Sequence, residues 1–320
     1  MTVRQIFDLG IKLGIENDFR SKKEIDEYLK KKKEEFKELK GIEKDCFDKE
    51  KLINPYSDSR IHFDNGKKTI KKVLAGIDIT MGGLLLAKEL DFDLVINHHP
   101  IGSALANLDD VMEMQIDYME SIGVPVTIAE KLLHKRISEV SRGINPGNHQ
   151  ITIDAARLLN INLINIHTPA DNMVAKFLTD KIAKLKPKYV GDVLKMLHEI
   201  EEYQEAKKQG VGPKLFTGNP KNRCGKVVAS EITGGAEGSP DLYEALSNSG
   251  VGTVVGMHQS EQHRKAADKA HINVIIAGHI SSDSIGMNLF LDELEKKGLK
   301  VTAFSGLIRV PRIKKNNKKR

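Results

Sequence analysis

The fold is set by residues 73–99, which read VLAGIDITMGGLLLAKELDFDLVINHH. Two short apolar runs rich in β-branched residues, 73–79 and 93–97, enclose a segment of helical character at 82–90. A strand, a crossover helix and a second strand form a βαβ unit, in which the two strands pair in parallel. The same alternation continues along the chain, so we predict an α/β protein with a largely parallel sheet.

Further strands are predicted wherever a short apolar run recurs. They span 161–166, 226–232, 252–257, 272–277 and 299–304. Helices are predicted between them, at 108–121, 127–141, 150–159, 171–183, 241–248, 261–270 and 284–297. The chain divides accordingly into a helical N-terminal extension (1–60), a first α/β half (61–183), a connecting segment (184–225) with a helix near 190–207, a second α/β half (226–308) and a basic disordered tail (309–320).

Length and composition are those of a soluble protein. The 320 residues, 40% of them hydrophobic, suffice for one large domain or two lobes. We find no apolar run of membrane-spanning length and no signal-peptide pattern at the N-terminus. Two cysteines, Cys46 and Cys224, are too few for a disulfide framework. We therefore expect a cytoplasmic protein with no membrane partner.

The positive charge of the chain is concentrated at its C-terminus. Residues 309–320, RVPRIKKNNKKR, carry seven positive charges and no acid, which leaves −1 of the net +6 on the other 308 residues. The tail could contact phosphate or an acidic partner, but a solubilising end is the simpler interpretation. It has no aromatic residue to stack on bases, so a nucleic-acid partner is not expected.

Histidines stand where predicted strands end. His98 and His99 follow the run at 93–97, and His279 follows the run at 272–277. His167 and His258 occupy the same position after two other strands. Ligands of open α/β sheets bind beyond the carboxyl ends of the strands, so this convergence predicts a site.

Two aspartates accompany these histidines, Asp171 four residues after His167 and Asp283 four residues after His279. Three imidazoles (His98, His99 and His279) and two carboxylates are too many ligands for one tetrahedral zinc with an open position, but they suit two divalent ions. Zn, Fe and Mn all accept such ligands. Asp283 has an alternative role as the N-cap of the helix predicted at 284–297.

Four motifs of this chain resemble those of the NIF-three-like family, in the family's order and spacing. They are the run ending in HHPIG at 98–102, IHTPADNMVAKFL (166–178), SEITGGAEGS (230–239) and IIAGHISSDSIG (275–286). The resemblance covers residues 70–305, and the block NPYSDSRI (54–61) looks like a variant subgroup with a longer N-terminus. Many bacterial members are named type 2 GTP cyclohydrolase I.

The resemblance implies an α/β fold with two similar halves, assembled as a dimer or hexamer. It also implies a dinuclear metal site with His98, His99, Asp171, His279 and residue 283 as ligands, and with Asp171 as the bridge. His167 would then orient a ligand or the substrate. The family residue at position 283 is Glu, so Asp283 departs from the pattern by one methylene and its role as a ligand is in question.

Other residues near the strand ends have candidate roles. His258 and His263 are candidate catalytic acids or bases, and Asp78 is expected to hydrogen bond a ligand histidine or to cap the next helix. The glycine-rich turn at 234–239 could bind a phosphate or carboxylate, or could simply join a strand to a helix.

Two functions of different classes are compatible with these patterns. The first is a metal-dependent hydrolase that acts on a small molecule, either a nucleotide, as the family resemblance implies, or a phosphoester. The alternative is a metal-binding protein-interaction or regulatory factor without robust catalysis. An open coordination position beside a pocket would favour the hydrolase.

Overall fold

The computed structural model describes residues 1–313, and it contains two mainly parallel sheets flanked by helices, as predicted. The strands are short, and most are buried on both faces. They are β1 Arg60–Phe63, β2 Lys72–Gly76, β3 Leu94–Asn97, β4 Asn162–Asn165, β5 Lys214–Thr217, β6 Lys226–Glu231, β7 Val251–Gly256, β8 Asn273–Ile276 and β9 Lys300–Phe304.

The two sheets share one topology. The first has the order β1-β4-β3-β2-β9 and the second the order β5-β8-β7-β6. β1 and β5, the first strands of their halves, are antiparallel edge strands. The next three strands of each half, β2 to β4 and β6 to β8, pair in parallel. The halves are thus structural repeats, although we found no repeat in the residues themselves.

Helices cover both sheets and follow most strands. Their bounds are α1 Val3–Glu16, α2 Lys22–Glu38, α3 Gly41–Cys46, α4 Met81–Glu89, α5 Gly102–Ala106, α6 Leu108–Val111, α7 Met114–Ser121, α8 Val126–Ile144, α9 Ile151–Leu159, α10 Thr168–Leu185, α11 Val190–His198, α12 Glu201–Lys208, α13 Leu242–Asn248, α14 Glu261–Lys269 and α15 His279–Lys296. A single 3₁₀ turn spans Lys49–Leu52.

Helices α10 and α15 pack against each other at the interface between the halves. Each follows the last parallel strand of its half, and the two pack closely because residue 286 is glycine. A Cβ atom there would overlap the carbonyl group of Ala170. The N-terminal helix α1 packs on α10 and buries Val3, Ile6 and Phe7 completely. The first residues of the chain are therefore part of the core.

The strands and helices differ from the sequence-based assignment in several places. β9, assigned to the second half, pairs with β2 in the first sheet, with Gly76 opposite Phe304. β1 (RIHF) and β5 (KLFT) were not predicted, because these short antiparallel edge strands contain charged or polar residues and lack a continuous apolar run. The helix predicted at 108–121 is divided into α6 and α7.

The beginning of the predicted tail is anchored. Arg312 makes two hydrogen bonds to the buried carboxylate of Glu202, at 2.6 and 2.8 Å, and Arg309 pairs with Asp292 at 2.6 Å. The prediction of a disordered tail was therefore wrong for 309–313, because these arginines pair with the buried carboxylates of Asp292 and Glu202. The remainder of the predicted tail, 314–320, lies outside the described residues.

Within residues 1–313, every helix is too short or too polar to cross a membrane.

Candidate metal centre

The double histidine lies at the carboxyl end of β3, where the chain turns sharply. The side chain of Asn97 stabilises this turn: its Oδ1 accepts from the Ile79 amide at 2.7 Å, and its Nδ2 donates to the His99 carbonyl at 2.7 Å. His98 is fully buried, whereas the His99 side chain is about one-fifth exposed. The two imidazoles are thus held side by side at one edge of the first sheet.

The other donors come from the first turns of α10 and α15. His167 immediately precedes α10, and Asp171 lies on its first turn. His279 begins α15, and Asp283 lies one turn later. Residues four apart project from the same helix face, so each helix presents one imidazole and one carboxylate together. The N-cap interpretation of Asp283 was wrong, because the helix begins at His279.

Asp283 lies between two groups of donors. Its Oδ1 is 3.6 Å from His98 Nε2, which is also 3.4 Å from Asp171 Oδ1. Its Oδ2 is 3.3 Å from His99 Nε2 and 3.7 Å from His279 Nε2. In this geometry Asp283, rather than Asp171, is the carboxylate that faces both groups, and the shorter side chain still reaches them.

His167 belongs to the same cluster. Its Nε2 lies 3.7 Å from Asp171 Oδ2, and its ring is 5.0 Å from the ring of His98. Three sets of side chains bring their ligand atoms within 4.8 Å of one another. The sets are His98 with His99 and His167, His99 with His279 and Asp283, and His98 with Asp171 and Asp283.

Several donor atoms of this cluster are buried without hydrogen-bond partners in the part of the chain that the structure describes. Five atoms meet this description: the Nε2 atoms of His98 and His99, Oδ1 of Asp171, and both carboxylate oxygens of Asp283. Unpaired buried polar atoms are costly and rare, and here they converge on one point. Imidazole and carboxylate are also the ligands that divalent transition metals accept. The residues therefore fit a metal ion.

The opposite ring nitrogens are bonded to the protein. His98 Nδ1 lies 2.9 Å from the Ile166 carbonyl, and His99 Nδ1 lies 2.7 Å from Asp78 Oδ1. A carbonyl oxygen can only accept, so His98 carries its proton on Nδ1 and leaves Nε2 with a lone pair. Metal-binding histidines are typically oriented in this way. Asp78 occupies the hydrogen-bonding position expected for it.

Asp58 is a site residue that the sequence analysis missed. Its fully buried carboxylate lies 2.7 Å from His167 Nδ1 and accepts from Thr168 Oγ1 at 2.6 Å. In the sequence, the block at 54–61 indicates only a variant subgroup with a longer N-terminus. A buried Asp before an edge strand has no pattern of its own, so only its position in space reveals this contact.

Without a metal ion, burial and the neighbouring side chains shift the pKa values of the residues in this cluster. Burial lowers the pKa of His279 to about 4, which leaves this imidazole neutral. Burial raises the pKa of Asp171 to about 6. Burial also opposes ionisation of Asp283, but the facing imidazoles of His98 and His99 hold the pKa of Asp283 well below its usual range. The Asp283 carboxylate and the neutral imidazole of His279 are therefore available at neutral pH. Burial opposes protonation of His167, but Asp171 and Asp58 raise the pKa of His167 to about 9, so a metal ion would displace a proton there.

A cavity of about 500 Å³ opens above these donors. Its floor includes His99, Asp171, His279 and Asp283. Its walls come from α6, α7, α13 and the glycine-rich turn at 234–239. The turn is held by Gln115, whose Nε2 donates to the carbonyls of residues 234 and 236 at 2.7 Å. Both halves of the chain thus contribute to this cavity.

The two candidate catalytic histidines differ in location. His258 lines the cavity with its ring 5.0 Å from that of His279, and its Nδ1 is 3.7 Å from Glu237. His263 is buried and is not among the lining residues. Its Nδ1 pairs with Ser260 Oγ at 2.7 Å and its Nε2 with the Gly238 carbonyl at 3.0 Å. It stabilises the glycine-rich turn instead, because α14 directs its ring back toward the loop.

The structure adds a partly buried acid to the cavity, Glu231, at the end of β6. Its Oε1 accepts from the Tyr243 hydroxyl at 2.7 Å, and burial raises the pKa of Glu231 to about 7. The residue that faces it on β7 is Gly256, where a Cβ atom would lie 2.9 Å from Glu231 Oε2. The sequence shows only a glutamate after an apolar run, so burial could not be read from it.

The fold is shared with solved structures. A NIF3 superfamily protein from Sphaerobacter thermophilus aligns with a TM-score of 0.73 and 24% identity, over 96% of this chain and 99% of that one. The chain has the NIF3 fold. The resemblance drawn from the motifs is thereby confirmed at the level of the fold.

Other matches are more distant. HcgD from Methanocaldococcus jannaschii aligns with a TM-score of 0.44 and 16% identity, over 77% of this chain and 89% of that one. TTHA1606 from Thermus thermophilus aligns with a TM-score of 0.45 and 18% identity, over 78% and 87%. No protein-family profile and no curated protein matches the chain.

Proposed function

We propose that the chain is a metal-dependent hydrolase with two divalent ions, acting on a small molecule such as a nucleotide or another phosphoester. One observation carries the proposal: five buried donor atoms without protein partners converge at the floor of an open cavity. A structural metal site would be enclosed by its ligands, whereas a catalytic one keeps a position open to substrate.

The arrangement of the donors supports two ions rather than one. Asp283 offers one oxygen to the group with His98 and Asp171, and the other oxygen to the group with His99 and His279. His167 stands beside Asp171 and adds a further donor to the first group. Ions held by such ligands would supply Lewis acidity and lower the pKa of a water molecule at the site.

The residues around the donors provide the other requirements of hydrolysis. Asp58 and Asp78 orient His167 and His99 through their Nδ1 atoms. Glu237 stands beside His258. Burial opposes the ionisation of both side chains. Nevertheless His258 lowers the pKa of Glu237, and Glu237 raises the pKa of His258. Held in this way beside the cavity, His258 can donate a proton to a leaving group or accept one from water.

Metal content and hydrolysis test the proposal together. The full-length protein should bind about two transition-metal ions per chain, measured by elemental mass spectrometry, and should hydrolyse members of a nucleotide and phosphoester panel. Asp171→Ala should lose at least one ion and most of the activity. Asp180→Ala, an exposed residue of the same helix, serves as the matched control and should keep both.

The outcomes separate the two functional classes. Absence of metal after incubation with Zn, Mn or Fe would refute the hydrolase. Two bound ions without turnover of any panel member would favour the alternative, a metal-binding interaction or regulatory factor.

A further inference from the structure

The cavity contains a second group of unpartnered polar atoms, apart from the metal donors. Ser230, Glu231 and Tyr243 line the cavity, and Gln259, which is not a lining residue, is bonded to the Tyr243 hydroxyl. Ser230 Oγ, Glu231 Oε2 and Gln259 Oε1 are each buried and have no hydrogen-bond partner among residues 1–313. The Tyr243 hydroxyl connects this group, because it donates to Glu231 Oε1 at 2.7 Å and accepts from Gln259 Nε2 at 3.2 Å.

The free atoms of this group are mainly acceptors. A carboxylate oxygen and an amide oxygen can only accept unless the acid is protonated, and a serine hydroxyl can do either. Leaving such atoms unpaired in a buried environment is costly, so a ligand that brings donors gains from pairing with them. We propose that Glu231, Tyr243, Gln259 and Ser230 form a subsite for an N–H-donating group of the substrate, such as an amidine, amide or amino heterocycle.

The charges of the cavity agree with this class of ligand. Among the residues of 1–313 that line it, one is a lysine or arginine, Arg136. Its guanidinium is already bonded to the Glu237 carbonyl at 3.1 Å and to Glu139 at 2.9 Å. A polyphosphate chain would therefore meet acids rather than free cations once beyond the metal donors. The cavity suits a nitrogenous group at one end and the scissile bond at the metal centre.

Two further features fit the subsite. Apolar side chains next to it, including Leu242, Leu246 and Met119, can contact a flat ring. Gly256 leaves space for the carboxyl group, since a Cβ atom there would contact Glu231 Oε2. Because the pKa of Glu231 is raised to about 7, its carboxyl is ionised at pH 8 and can pair with a cationic donor. The inference deepens the proposed hydrolase function by assigning a substrate class, and it rests on that function for its catalytic meaning.

Benzamidine, benzamide and benzoate form a matched set of probes, because they share one ring and differ in their donors. Each would be titrated into the Zn-loaded full-length protein at pH 8, with binding followed by calorimetry or ligand-observed NMR. Benzamidine should bind most tightly and benzamide more weakly. Benzoate, which has no donor, should bind weakly or only at the metal ions.

Variants locate the binding. Glu231→Gln should weaken benzamidine binding at least tenfold and leave any benzoate binding unchanged. Tyr243→Phe, which keeps the ring and loses the hydrogen bond, should weaken it by a smaller factor. Glu244→Gln, on the exposed face of α13, should have no effect. Unfolding temperatures would show that each variant is folded.

Asp171→Ala separates this inference from the proposed function. It should lose at least one metal ion and most of the hydrolysis but retain benzamidine binding, so the subsite can be judged even if the protein hydrolyses nothing. An equal benzamidine Kd in the wild type and in folded Glu231→Gln would overturn the subsite. The subsite would also be overturned if benzoate bound as tightly as benzamidine and depended on residue 231 in the same way. Absence of benzamidine binding at millimolar concentration would overturn it as well.

Discussion

His167 Nδ1 lies 2.7 Å from Asp58 Oδ2, and both residues are buried. This contact joins a loop near the N-terminus to the first turn of α10, 109 residues later in the chain. The neighbouring charges hold the pKa of Asp58 below its usual value, although burial opposes this. Asp58 therefore holds a proton on Nδ1 of His167 and leaves Nε2 toward the metal donors.

Asp58→Asn should weaken metal binding. The amide can still accept a hydrogen bond, but it removes the charge that favours the Nδ1–H tautomer. Partners of this kind change metal affinity by roughly 10- to 100-fold. Competition with a chromogenic chelator would measure the change in the Kd for Zn. Asp154→Asn, on the exposed surface of α9, is the control, and an unchanged Kd in Asp58→Asn would assign this contact to folding alone.

Asp283 should matter to both groups of donors, because each of its oxygens faces a different group. Asp283→Ala should abolish metal binding, whereas His279→Ala should remove one ion and leave the group of His98 and Asp171 intact. Metal-to-protein ratios after dialysis would measure this. Retention of two ions by Asp283→Ala would show that Asp171 is the bridge, as the family resemblance implies.

Asp283→Glu introduces the residue that the family resemblance implies at this position. It tests whether the site has room for a longer side chain. The carboxylate of Asp283 is 1% exposed and is already close to His98 and His99. One more methylene would overpack this site, so we expect weaker metal binding and a lower unfolding temperature than in the wild type. Tighter binding in Asp283→Glu would contradict the close approach seen here.

Glu231 should make stability depend on pH. Burial raises the folded-state pKa to about 7, with Glu237 raising it further and Tyr243 and His258 lowering it. A raised pKa means that the folded state binds the proton more tightly than the unfolded state, whose value is 4.5. The contribution to stability is therefore fully present below pH 4.5 and is lost as the pH rises through 7.

Glu231→Gln should remove this dependence, since the amide does not titrate. The unfolding temperature of the wild type should fall relative to that of the variant as the pH is raised from 5 to 8, which thermal denaturation in matched buffers would measure. Glu244→Gln controls for the loss of one negative charge. Parallel pH profiles for the wild type and Glu231→Gln would show that Glu231 is ionised throughout this range.

The C-terminal anchor should contribute to stability. Arg312 pairs with Glu202, which is 0% exposed and also accepts from Asn288 on α15 at 2.9 Å. Arg312→Ala leaves a buried carboxylate with one partner fewer, so we expect a loss of about 2 kcal/mol in chemical denaturation. A variant that lacks only residues 314–320 keeps all of these contacts and serves as the control. Equal stability of all three proteins would contradict the anchor.

The parallel strands and the main donors could be predicted from the sequence. Strands buried on both faces appear as continuous apolar runs, so β3, β4 and β8 were placed within one or two residues. The histidines that follow them were expected at a common edge because parallel strands end at the same side of a sheet. Local pattern and general topology were sufficient for these features.

Other features could not be predicted because they depend on contacts between distant segments. Asp58 reaches His167 across 109 residues, and the pairing of β9 with β2 joins the two ends of the α/β region. The surroundings of the Glu231 carboxyl group depend on Tyr243 and on the absence of a side chain at residue 256. No local pattern distinguishes these residues from exposed ones.

The sequence by itself determined the α/β class, the positions of the central strands and the histidines and aspartates of the candidate metal centre, because short-range periodicity and strand ends are local properties. The tertiary structure alone decided which carboxylate faces both donor groups, which residues orient the imidazoles and which buried polar atoms remain unpaired. Those properties are set by distances of a few ångströms between residues far apart in the chain, and they exist only once the two halves have packed across α10 and α15.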